Sequence, residues 1–135
     1  MSKRAAETQL AEARNVFRLE GEYWTVVFSG DVHRLRDTSG LRYIAFLLRH
    51  PGEKVTAAEL SAVGKRPLSA GEVHAAEGID SLELARVRVT RAIKAALHRI
   101  GACSAALIAH LTATIRTGSH CSYTPDPRLP VKWEF

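Results

Sequence analysis

The sequence predicts a single α+β domain, with a small N-terminal antiparallel sheet, a run of helices and a C-terminal hairpin. Three observations carry that prediction. The 135 residues amount to one domain's length of chain. An early stretch of β-branched and aromatic residues alternates between glycine-containing turns. The middle of the chain then changes to helical spacing of apolar residues, and a second short alternating stretch closes it.

The elements follow in order. Residues 2–14 are rich in Ala, Glu and Gln and read as a short helix with Ser2 as N-cap. Its apolar stripe (Ala6, Leu10, Ala13) is thin, so residues 1–15 are assigned to an arm or linker and 16–135 to the domain. Val16 to Leu19, Glu22 to Phe28 and Val32 to Arg36 read as three strands. Glu20-Gly21 and Ser29-Gly30-Asp31 are the turns between them, making an antiparallel meander. Tyr23, Trp24 and Phe28 fit core or sheet-face packing better than a base-stacking platform.

Asp37-Thr38-Ser39 offers cap residues for an amphipathic helix carrying Leu41, Ile44, Ala45, Leu47 and Leu48. His50-Pro51-Gly52 ends it. After an extended Val55, Thr56 and Glu59 form a capping box for a second helix reaching Val63. Residues 64–80 contain Pro67, Gly71 and Gly78 and read as a long loop. Asp80 or Ser81 caps the longest helix, Leu82 to Ile100, with Gly101 closing it. Ser104 caps a further helix, Ala105 to Ala113. Thr114 to Thr117 and Cys121 to Tyr123 flank a Gly118-Ser119-His120 turn as a hairpin. Pro125, Pro127 and Pro130 make a rigid exit, and Val131 to Phe135 alternates as an edge strand.

Composition excludes several classes. The chain is 46% hydrophobic and 24% charged, within the globular range. No apolar run reaches the roughly 18 residues of a membrane span. The start, Met1 to Glu7, lacks the apolar core of a secretory signal. A soluble, cytoplasmic protein is expected, and Cys103 and Cys121 are expected to be free thiols.

Charge is segregated. Residues 1–80 hold 11 Lys/Arg and 11 Asp/Glu, while residues 81–135 hold eight and three, so the whole net charge of +5 lies in the last 55 residues. Such an excess points to a polyanion surface at one end, the alternative being a solvated face on a basic protein. The long helix concentrates it. Ala85, Val89, Ala92, Ile93, Ala96, Leu97 and Ile100 share one face. Arg91, Lys94 and His98 share the opposite face, Arg88 flanks them, and Glu83 is the only acid of Leu82 to Ile100. An uncompensated basic face suits a DNA groove, where Arg pairs bidentately with guanine or phosphate. Thr90 is expected to meet a phosphate or a thymine methyl. Arg116 and His120, near the hairpin tip, are expected to touch phosphate or the minor groove. Thr56 is expected to donate to a phosphate.

The order of elements resembles the winged helix-turn-helix effector domain of OmpR-type response regulators. Leu35-Arg36-Asp37-Thr38-Ser39-Gly40-Leu41 through Pro51-Gly52-Glu53-Lys54-Val55 is similar to that family's entry strand, first helix and return strand. Ala58-Glu59-Leu60 matches its positioning helix, Val87-Arg88-Val89-Thr90-Arg91-Ala92-Ile93 its recognition helix, and Ile115-Arg116-Thr117 with Tyr123 its wing. The Gly-Glu-Tyr-Trp, Arg-Val-x-Val-Thr-Arg-Ala-Ile and Ile-Arg-Thr-Gly strings resemble still more closely a winged-helix module at the C-terminal end of large bacterial ATPase- and cyclase-type regulators. The resemblance covers about residues 16–134 and implies a DNA-binding transcriptional regulator that binds double-stranded DNA as a dimer or tandem pair. The helix at 105–113 intervenes between recognition helix and wing. The chain carries no receiver or ATPase domain, so a separate regulatory or polymerase partner is expected.

Other chemistry finds little footing. Cys103, His110, His120, Cys121 and His98 match no zinc-ligand spacing. Neither cysteine has a placed His–acid pair to make it a nucleophile, and no phosphate loop or HExxH motif occurs. No cofactor, metal or enzymatic activity is expected. The alternative function is a protein-interaction module in which the basic helix docks an acidic partner, or the fold assembles through its N-terminal helix and sheet.

Overall fold

The computed structural model describes residues 15–63, 79–128 and 131–135, with side chains of the long helix described from Glu83 onward. The expected helix at 2–14, residues 64–78 of the loop expected at 64–80, and Pro130 lie outside the described residues, while Ile79 and Asp80 of that loop are helical. The architecture is α+β, with two small sheets around a set of helices.

Three strands open the described chain: β1 (Asn15–Glu20), β2 (Tyr23–Phe28) and β3 (Asp31–Arg36). They pair antiparallel, with Val16 opposite Val27 and Val27 opposite Val32. Two-residue loops join them. At the second, Ser29 (φ 54°) and Gly30 (φ 88°) both adopt the left-handed backbone that a tight hairpin with right-twisted strands requires. β7 (Trp133–Glu134) completes the sheet, giving the order β3-β2-β1-β7. It lies parallel to β1, with Asn15 opposite Trp133. Phe17, Trp24, Val26 and Leu35 alternate onto the inner face and are buried.

Helix α1 (Ser39–Arg49) starts where Thr38 caps it, its side chain accepting from the Leu41 amide at 3.3 Å. Asp37 does other work. Its carboxylate accepts from Trp24 Nε1 at 2.8 Å and pairs with the Arg42 guanidinium, locking the sheet to the helix start. The bond from Arg42 holds the Asp37 carboxyl below its usual range. β4 (Val55–Thr56) then leads into α2 (Ala57–Val63), and the Thr56–Glu59 capping box forms as the spacing predicts.

Helix α3 (Ile79–Cys103) is longer than expected. It already includes Asp80 and Ser81, so neither caps it, and it takes in Asp80 as a second acid. It also runs through Gly101, because the next helix packs against that residue. α4 (Ala105–Thr114) starts at Ser104, whose hydroxyl accepts from the Leu107 amide at 3.2 Å. A Cβ at Gly101 would stand 3.3 Å from Ile108 Cγ1 on α4, which suits glycine at that crossing. β5 (Ile115–Arg116) and β6 (His120–Tyr123) follow, and the second sheet runs β4-β6-β5.

Two contacts hold the layers. The first is Gly40, at the start of α1, where an added Cβ would lie 2.1 Å from the Ala92 carbonyl oxygen and 2.9 Å from Ala96 Cβ of α3. Only a hydrogen fits there. The second is a polar node in an aromatic cluster. Trp133 Nε1 donates to the Tyr123 hydroxyl oxygen at 3.1 Å, and that hydroxyl lies 2.7 Å from His110 Nε2. Phe28 stacks on both His110 and Trp133. The node ties α4, the hairpin and the first sheet together. Burial pushes the His110 pKa down, so the ring is neutral and its Nε2 accepts the tyrosine proton.

Two outcomes follow for stability. Gly40→Ala must push α1 away from α3 and is expected to lose about 3 kcal/mol in urea unfolding. His110 takes up its proton near pH 6.5 when unfolded and only at lower pH when folded. Stability is therefore lost as pH falls through about 6.5 toward the folded value. The wild type should show this loss between pH 8 and 5 in urea titrations, and His110→Gln should show less of it.

Candidate nucleic-acid interface

The burial of α3 follows its periodicity. Val89, Ile93, Ala96 and Ile100 are buried, while Arg88, Arg91, Lys94, Ala95, His98 and Arg99 are exposed on the other side. Arg86 pairs with Glu83, which holds that carboxyl below its usual range. Among the described residues, Arg88, Arg91, Lys94 and Arg99 have no carboxylate partner. The helix thus presents cations that no carboxylate among the described residues neutralises.

Thr90 departs from the expectation. Its hydroxyl oxygen is buried and has no hydrogen-bond partner among the described residues, so it is not presented to a phosphate. On the helical wheel Thr90 lies about 100° from Arg91 and about 40° from Lys94, on the flank that carries Leu97 and Gly101.

The hairpin groups form a second set. Register places Thr56 opposite His120 and Arg116 opposite Ser122, on either side of the same strand. The Ala57 amide donates to the Ser119 carbonyl at 3.1 Å, which fixes the turn beside the start of α2. Arg116 and His120 are exposed. The Thr56 hydroxyl accepts from the Glu59 amide at 3.1 Å, and a hydroxyl that accepts keeps a proton to donate. α1 and α2 each pack on both α3 and β6, so they link the two sets.

Two residues escaped the sequence reading. Leu84 is 47% exposed although large and apolar. It stands seven residues, two helical turns, before Arg91 and so shares its face. Exposed Lys54 immediately precedes β4, beside the hairpin. The helical wheel would have shown Leu84; only the β4–β6 pairing places Lys54 beside the hairpin.

A shallow groove of about 430 Å³ runs between α3 and α4, lined by Lys94, Leu97, His98, Gly101, Ala102 and Ile108. The cysteines do not share a site. Cys121 is buried, which raises its thiol pKa and lowers its reactivity, and Cys103 is exposed. Among the described residues no three His, Cys, Asp or Glu side chains gather as a metal site needs. No described helix is long and apolar enough to cross a membrane.

The chain matches no protein-family model, no curated protein and no solved structure.

The Thr90 hydroxyl, buried and without a partner among the described residues, has a measurable consequence. Thr90→Val keeps the shape and removes an unsatisfied polar atom, so thermal and urea unfolding should show a gain of about 1 kcal/mol.

Proposed function

We propose that this protein is a DNA-binding transcriptional regulator with a winged helix-turn-helix fold, similar to OmpR-type effector domains. In this reading α2 is the positioning helix, α3 enters the major groove, and the β5–β6 hairpin is the wing. The observation that carries it is the cationic face of α3, without carboxylate partners among the described residues, opposite the buried Val89, Ile93, Ala96 and Ile100. A solvated helix has no need of such one-sidedness, since nearby carboxylates at i±4 would stabilise it. Phosphate supplies the missing anions, and release of its counterions supplies the affinity.

Arg88 and Arg91 contact base edges or phosphate. Lys94 and Arg116 add charge around them, His98 and His120 offer ring N–H donors, and the Thr56 hydroxyl donates to a phosphate beside the hairpin. Thr90 contributes to packing. The protein acts in the cytoplasm on double-stranded DNA, pairs as a dimer or tandem repeat for affinity, and receives its signal from a separate partner.

A salt titration with duplex DNA, alongside selection from a random-sequence pool, tests this reading. Binding should fall steeply with salt. Arg91→Ala and Lys94→Ala should each weaken it about tenfold or more with unchanged melting, because both side chains are exposed and without carboxylate partners among the described residues. No binding at about 50 mM salt would overturn the reading in favour of a protein-interaction module.

A further inference from the structure

The long helix cannot act as one uniform reading surface. At 25 residues it is about 37 Å long. A major groove about 12 Å wide admits one helix, itself about 10–12 Å across. Two helices packed side by side, with axes about 8–10 Å apart, do not enter it together.

Along its C-terminal half α3 has such a neighbour. α4 lies against its flank at Leu97 and Gly101, with Ile108 in contact. Lys94 and His98 line the groove between the two helices. That half is barred from the floor of a DNA groove. The α3 residues that line this groove all lie at Lys94 or beyond, so the N-terminal stretch from Glu83 to Arg91 precedes it. There Leu84, Val87, Arg88 and Arg91 fall within about 100° of the helical wheel. Leu84 is the large apolar side chain that this face leaves in solvent.

We infer that α3 is divided in function: Leu84, Arg88 and Arg91 read bases, Leu84 against a thymine 5-methyl group beside a guanine, while Lys94 and His98 grip the phosphate backbone at the α3–α4 groove. This rests on the DNA-binding reading above and adds which residues specify and which only hold. Leu84 is apolar and pairs with no base edge, so its gain comes from covering a methyl group. Guanine O6 and N7 are the bidentate acceptors that a neighbouring Arg fits. Lys94 and His98, kept away from base edges, meet a charge that is the same at every sequence.

The test uses the full chain. A preferred site is first selected from a random duplex pool. Each thymine in it is then replaced by deoxyuridine, which removes only the 5-methyl group. One replacement should weaken wild-type binding about fourfold and leave Leu84→Ala unaffected. Lys94→Ala and His98→Ala should weaken binding equally on all duplexes, with a shallower salt dependence for Lys94→Ala and an unchanged selected motif. Leu84 is exposed, so its variant should melt as the wild type does. A selected motif with no deoxyuridine effect at any position would overturn the division while leaving DNA recognition standing. A changed motif in Lys94→Ala would do the same. Failure to select any motif would overturn both this inference and the functional reading beneath it.

Discussion

The close approach of α1 to α3 at Gly40 is the constraint on which the rest depends. A main-chain carbonyl of α3 lies where any side chain of α1 would have to be. The crossing brings Leu41, Ile44, Leu47 and Leu48 against Val89, Ile93, Ala96 and Ile100 within one core. Packing at that distance leaves no freedom to rotate α3 about its axis, since a partial rotation would expose apolar residues and bury arginines. The outward direction of Arg88, Arg91 and Lys94 is therefore set by a glycine on a different helix.

The second support is polar. The Tyr123 hydroxyl joins His110 of α4 to Trp133 of β7, and the rings around it enclose the bond. A buried polar chain of this kind is favourable only when each member is satisfied. Its geometry thus couples the position of the hairpin to that of the first sheet. Asp37 has the same role at the opposite side of α1, where one carboxylate serves both Trp24 and Arg42. Neither node lies on the cationic surface, yet both hold the elements that present it.

That surface is itself a stability liability. Arg88, Arg91 and Lys94 follow one another at i, i+3 along α3 and repel one another, and Glu83 relieves Arg86 alone. The core beneath absorbs this cost. α4 adds a further limit. By packing on one flank, it leaves the basic face continuous in sequence and divided in access, so charge and reach are separate properties of the same helix.

Much of this was legible in the residues. The meander followed from alternation and its glycines, the capping box from Thr56 and Glu59, and the basic face of α3 from a 3.6-residue period, because these signals act within a few residues of each other. Where reading failed, the missing information was nonlocal. Asp80 and Ser81 look like caps, but α3 already includes Ile79. Gly101 looks like a helix stop until Ile108 is packed on it. Thr90 looks like a phosphate donor until its hydroxyl is found buried, because a helical wheel gives direction and not what lies there. The sequence by itself determined the elements, their order and where the charge accumulates, through local backbone preference and hydrophobic period. Only the tertiary structure decided which helix shares its flank with another, which hydroxyl is enclosed and which apolar side chain stays in solvent, because those depend on contacts between residues far apart in the chain.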